Sequence, residues 1–243
     1  MNLFSADISL WRFPASLILG AAFAAALWAA DRYYARTRAY RLLSGPYGAV
    51  VLLVLTTAAV AAEGIWAAGI YYTWPFIGLL ILFAASLGLV TLRGVRRRRG
   101  AGFVLNHAGL FLIVWGALFG APDVTRARML VRTGEEAALA YTAAGEAVPL
   151  PFAVRLDRFT LERYDDGTPR RFRSELRFDG RPASVEVNHP VRYGGYTFFQ
   201  DSYDTRHGAY TVLLLVRDPW LWVVWVGVAL LAAGSLLLLF SRR

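Results

Sequence analysis

The sequence has no cysteine, and although 26 of its 243 residues are basic it has no lysine: every cation is an arginine. Without Cys there are no disulfide scaffolds, zinc–thiolate sites, iron–sulfur clusters or thiol nucleophiles, and no thioether attachment of haem to this chain. Without Lys, Schiff-base chemistry and the phosphate-cradling P-loop lysine are gone as well. Charge is scarce overall, at 18% of residues, while 57% are apolar. A soluble domain averages about 25% and about 45 to 50% respectively, so the composition is that of a membrane protein.

What charge there is has a net value of +9, and its placement decides its meaning. Residues 121–218 hold 14 Arg and 14 Asp or Glu and sum to zero. The remaining 12 Arg, with only Asp7, Asp31 and Glu63 against them, lie beside or between long apolar runs. This is a topology signal rather than a nucleic-acid surface. Five runs reach the roughly 20 residues a bilayer requires: 13–30, 47–66, 74–92, 101–120 and 219–240. If all five span, Arg32, Arg36, Arg38, Arg41, Arg93, Arg96 to Arg99, Arg242 and Arg243 fall on one side, which the positive-inside rule makes cytoplasmic. The amino terminus and residues 121–218 are then outside. A cleaved signal peptide over 13–30 fits less well, because no basic stretch precedes Arg12 and its removal would place the five-Arg loop outside.

The chain therefore divides into helical spans over 1–120, a β-rich domain over 121–218 and a closing span with a basic tail over 219–243. Trp66, Tyr71, Tyr72 and Trp74 fit an interfacial aromatic belt, as do Trp220, Trp222 and Trp225. Asp218 and Pro219 suit the cap and first turn of the last span. In the β-rich segment, 152–164 alternates apolar and charged residues with period two; 172–178, 183–188, 196–203 and 209–216 read as further strands. The separators DDGTP, FDGRP, HPVRYGG and TRHG carry the Gly and Pro that turns need. The fold class expected is five transmembrane α-helices plus an extracytoplasmic all-β domain, sandwich or barrel-like, inserted before the last helix.

Two ionisable side chains fall within spans, Glu63 and His107. A charge at mid-bilayer costs about 2.5 to 3.5 kcal/mol, so such residues are candidate functional groups. Glu63 lies near the end of its span and can snorkel. His107 sits opposite a stripe of Gly102, Gly109 and Gly116 on its helix, so one face can pack tightly while the other presents an imidazole, a good iron ligand. It either bonds a neighbouring helix or ligates haem, and in the second case another chain or copy must supply the second axial ligand. His189 and His207 belong to the β-rich segment.

The segments VLNHAGLFLIVWGALFG, LPFAVRLDRFTLERYDDGTPRRFRSEL, VEVNHPVRYGGYTFFQDSYD and VRDPWLWVVWVGVALLAAG, in that order over roughly 74–240, resemble the ResB-like (CcsB-like) proteins of system II cytochrome c biogenesis. The resemblance implies a multi-pass subunit of the bacterial cytoplasmic membrane. Such a subunit works with a ResC/CcsA-type partner to bring haem b to the CxxCH motifs of apocytochrome c, with a thioredoxin-like reductant keeping the thiols free. The partner family's WWD-type motif is absent here, so the chain is similar to the ResB half alone. Carried over by the resemblance, His107 is an axial haem ligand, and Asn188, Pro190, Gly195, Gln200, Ser202 and Tyr203 form an outer-domain motif whose role is structural or docking. No acid, base or nucleophile constellation is present, so the chain is at most a non-catalytic subunit of a haem lyase. The competing readings are a scaffold that binds no haem and a b-type electron carrier formed by a dimer.

Overall fold

The computed structural model describes residues 8–66, 69–166, 168–204 and 207–240; the tail arginines Arg242 and Arg243, Asp7, and parts of the turns at Gly167 and at Thr205 and Arg206 lie outside these. The chain forms two compact units, one of residues 1–123 with 219–243 and one of Val124–Asp218.

The first unit holds α1 (Ala15–Tyr33), α2 (Arg38–Leu43), α3 (Pro46–Trp66), α4 (Trp74–Arg96), α5 (Ala101–Gly120) and α6 (Leu221–Phe240). All but α2 are long and apolar enough to cross a membrane. Their ends follow local rules. Pro75 sits in the first turn of α4, and Thr37 caps α2 by accepting the Tyr40 N–H. Two sequence expectations shift. The Arg-rich connection after the first span is not a plain loop but contains the short α2. The last helix begins at Leu221 with Trp220 ahead of it, so Asp218 is not at the cap position.

α5 and α6 pack through glycines. A Cβ on Gly109 would lie 2.6 Å from the Gly227 carbonyl, and one on Gly227 would lie 2.7 Å from the Gly109 carbonyl. Ser235 of α6 donates to the Asn106 Oδ1 of α5 at 3.0 Å. Close backbone approach and interhelical hydrogen bonds are how helices associate where lipid is as apolar as leucine. At the opposite end of α3, the Glu63 carboxylate accepts the N–H groups of Gly69, at 3.3 Å, and Ile70, at 2.7 Å. Glu63 thus satisfies the short 3-10 turn Ile70–Tyr72 instead of merely reaching water.

The second unit is one antiparallel sheet of β1 (Thr125–Arg132), β2 (Glu136–Tyr141), β3 (Ala147–Arg163), β4 (Pro169–Phe178), β5 (Arg181–Glu186), β6 (Val191–Tyr193), β7 (Tyr196–Tyr203) and β8 (Tyr210–Arg217), in the order β5-β4-β3-β2-β1-β8-β7-β6. Alternate residues such as Met129, Val131, Val154, Leu156, Leu213 and Leu215 are fully buried on its inner face. Each such aliphatic side chain contributes about 1.5 to 3 kcal/mol. The sheet curls over this core: Phe178 of β4 meets Phe198 of β7 with ring centroids 4.8 Å apart, although four strands lie between them in the order.

β1, β2 and β6 were not among the expected strands. β1 does alternate, burying Ala127, Met129 and Val131. β2, EAALAY, consists of helix-favouring residues held extended by its neighbours.

Candidate functional site

A cavity of about 480 Å³ opens among α3, α4 and α5 at the Arg-rich end of the helical unit. It lies within the range of about 300 to 1,000 Å³ usual for small-molecule sites. Its walls are apolar: Leu53 from α3, Phe83, Leu87 and Val90 from α4, and Leu110 from α5. Its polar groups are few and grouped, with His107 on one wall and Arg93, Arg97 and Arg99 towards the helix ends.

His107 lies six residues into α5, about 9 Å along the axis from Ala101, and is half-buried. Its Nδ1 is 2.9 Å from the Phe103 carbonyl oxygen. A carbonyl only accepts, so this contact places the proton on Nδ1 and leaves the Nε2 lone pair unprotonated in the neutral ring. The imidazole also packs on the Phe103 ring, centroids 4.1 Å apart at 31°. Phe103 in turn is pressed against α4, where a Cβ on Gly94 would come within 2.8 Å of its ring. The Arg99 guanidinium caps this stack, 5.5 Å from the centre of the Phe103 ring. Phe103 and His107 are therefore an i, i+4 pair on one face of α5, with Arg99, just ahead of the helix, closing the stack, and the glycine stripe occupies the face towards α6. Among the described residues no hydrogen bond joins His107 to a neighbouring helix.

The cavity edge is fastened by its surroundings. Arg93 donates to the carbonyl and hydroxyl of Ser44, at 3.0 and 3.1 Å, and Ser86 donates to the Leu43 carbonyl at 2.7 Å. Arg96 binds Asp31 at 3.1 Å and the Tyr40 hydroxyl at 3.2 Å, and Tyr40 donates to Asp31. Burial first, and then the bond to Asp31, push the Tyr40 phenol up to about 12, so it remains a donor at any ordinary pH. These contacts tie α2 and the start of α3 to α4. The sequence offered no sign of α2, whose residues RAYRLL are too few to show a period.

The six motif residues of the β unit do not converge on one pocket. Asn188 takes a left-handed φ of 63° in the turn that joins Glu186 to His189, and Pro190 follows it. Gly195, with Gly194, forms the two-residue turn between β6 and β7, both at positive φ. A Cβ on Gly194 would collide with the Phe152 ring. Gln200 is the centre of a buried polar group at the bulge of β7: it accepts from Ser174 at 2.7 Å and donates to Thr211 at 2.7 Å and to the Ser202 carbonyl at 3.0 Å. The Ser174 and Thr211 hydroxyls also share a hydrogen bond at 2.9 Å. Tyr203 stacks on Phe159 at 4.8 Å. His189 and His207 are exposed. Among the described residues no cluster of His, Asp or Glu could hold a metal ion.

Comparison with known proteins shows the family. Residues 89–215 match the ResB-like family. The "Cytochrome c biogenesis protein CcsB" of Synechococcus elongatus is 32% identical over 130 residues, covering 49% of this chain and 28% of that protein. "Protein NrfI" of Wolinella succinogenes is 36% identical over 98 residues, covering 37% of this chain and 11% of that protein. The chain thus corresponds to well under half the length of the curated relatives it matches. A solved structure of the "Cytochrome c Heme Lyase CcmF" aligns with 93% of this chain and 45% of its own, at a TM-score of 0.40 and 18% identity. With the matched region spanning just over half of its length, this multi-pass membrane chain belongs to the ResB-like family.

Proposed function

We propose that the chain is a membrane subunit of the cytochrome c maturation machinery, holding haem b in the cavity among α3, α4 and α5 with His107 as one axial ligand. A ResC/CcsA-type membrane partner supplies the second ligand, and apocytochrome c is the final acceptor. On this reading the Arg-rich end is cytoplasmic and the β unit extracytoplasmic. The observation that carries the proposal is the hydrogen bond from His107 Nδ1 to the Phe103 carbonyl, in a ring that lines an apolar cavity. It fixes the tautomer whose Nε2 can bind iron, as such partners do for metal-ligating histidines in general. The donor set also suits haem at the other end of the cavity, where the arginines complement carboxylates.

When bound, haem would supply an iron able to take an imidazole nitrogen as ligand and the vinyl groups to which cytochrome c thiols add. The chain's own residues perform three tasks. His107 offers the Nε2 lone pair; the Phe103 carbonyl holds the Nδ1 proton away from it; Phe83, Leu87, Val90 and Leu110 exclude water from the site. Bond formation with the apocytochrome is assigned to the partner complex, with its thioredoxin-like reductant.

The test is the visible spectrum of the complex purified with its partner. Substituting His107→Ala is expected to remove the low-spin Soret band contributed by this site, and adding imidazole is expected to restore it. An unchanged spectrum would remove the axial-ligand role of His107.

A further inference from the structure

We propose that Arg97 and Arg99 form the acid-recognising end of the His107 cavity, selecting a porphyrin by its paired carboxylates whether or not it carries a metal. The inference rests on the haem reading for the identity of the ligand, but concerns a different end of the cavity and different atoms.

Three guanidinium groups line the cavity, and they are not equivalent. Arg93 is committed to Ser44. Arg97 makes no side-chain hydrogen bond or ion pair among the described residues, and Arg99 only rests on the Phe103 ring. That stacking leaves the in-plane N–H fork of Arg99 free for an oxygen anion.

The cavity lining contains no carboxylate, and the described carboxylates of the helical unit are all engaged elsewhere. Asp31 is held by Arg96 and Tyr40, Glu63 by two backbone N–H groups, and Asp123 by Phe13, Ser16 and Trp220. Two exposed cations therefore stand at the mouth of an apolar cavity whose lining offers them no counter-ion, and a ligand's carboxylates would supply one. An anionic phospholipid would satisfy the arginines with its phosphate, but its tails have the bilayer to occupy and it has no use for a free imidazole nitrogen. A flat amphiphile with two carboxylates at one edge uses all three features: the paired guanidiniums, the apolar walls and, when metallated, His107.

The test uses the full chain in neutral maltoside micelles and two metal-free probes, protoporphyrin IX and its dimethyl ester, titrated by porphyrin fluorescence. Without iron, His107 has no metal to ligate. The diacid is expected to bind about tenfold more tightly than the diester, the scale of a charge-assisted contact at an exposed mouth. Changing Arg97→Gln and Arg99→Gln together is expected to abolish that preference, whereas Arg98→Gln and, separately, His107→Ala keep it. Should the double Gln variant fail to fold by circular dichroism, the double Lys variant retains charge without the fork and is expected to lose part of the preference. The proposal is overturned if the wild type binds both probes equally, if the preference survives in the Gln pair or is undiminished in the Lys pair, or if equimolar phosphatidylglycerol displaces the diacid completely. Failure here is separable from failure of the haem-ligand reading. A His107→Ala variant that keeps its Soret band removes the axial role and leaves the diacid preference standing, whereas a wild type without that preference removes the arginine role alone.

Discussion

The His107 imidazole is held twice by Phe103, through a 2.9 Å hydrogen bond to its carbonyl and through ring packing at 4.1 Å. The carbonyl is backbone and survives any substitution; the ring does not. Phe103→Ala is therefore expected to keep the Nδ1–H tautomer, read by nitrogen NMR of labelled histidine, yet to lower haem retention by about tenfold at most, the lower end of what lost ligand support costs. Phe103→Tyr should restore it, because the same packing surface returns.

Gly109 and Gly64 are opposite cases. Gly109→Ala forces a Cβ to 2.6 Å from both the Gly227 carbonyl and the Leu231 nitrogen, and neither atom is a flexible side-chain end. A loss of about 1 to 3 kcal/mol is expected in detergent unfolding. At Gly64 a Cβ meets nothing within 4 Å, and the residue is helical, in the last turn of α3. Gly64→Ala is expected to be neutral or to gain about 0.5 to 1 kcal/mol.

The Gln200 group at the bulge of β7 predicts a packing defect with a polar cause. Thr211→Val keeps the shape but leaves the Gln200 amide and the Ser174 hydroxyl each short of a partner. The β unit should lose about 1 to 3 kcal/mol, the cost of stranding buried polar groups, measured by thermal melting of the full chain followed through near-ultraviolet circular dichroism. Replacing Ser174, Gln200 and Thr211 together by Ala, Leu and Val should cost less than the sum of the single changes.

Acid should weaken the β unit at Glu186. The hydrogen bond from Arg171 at 2.7 Å, reinforced by Arg173 at 2.5 Å, holds its carboxyl below the usual glutamate range. A depressed folded value means the stabilising contribution is complete above the ordinary glutamate pKa and is lost as the pH falls through the lower, folded value. Glu186→Gln should flatten the melting temperature against pH below about 5, the upper edge of ordinary glutamate titration, and high salt should do the same in the wild type.

Sequence reasoning reached the helices because a span of some twenty apolar residues has few alternatives, and it reached His107 because a lone imidazole in such a span stands out against its neighbours. The glycine face of α5 was legible for the same reason: spacing alone fixes which side of a helix a residue occupies. The cavity was not legible. Arg97 and Arg99 read only as a topology signal, since nothing in RGVRRRRG separates the arginines that line a space from Arg96, which clasps Asp31, or Arg98, which does neither. β2 was missed because Ala, Leu and Glu carry no strand preference of their own, and the pairing that holds them extended comes from residues far away in the chain.

Asp123 is the last residue of the helical unit before the chain leaves it, and Trp220 lies next to the point of return; its indole N–H donates to the Asp123 carboxylate at 2.6 Å. Phe13 and Ser16, at the start of α1, bond the same carboxylate at 2.6 and 2.7 Å. The exit and re-entry points are thus stapled together within the helical unit itself, and everything from Val124 to Asp218 hangs from a closed clasp. Such a junction tolerates replacement of what it carries. The helical unit thereby closes on itself with its own residues, whatever strain the carried segment places on the two connections.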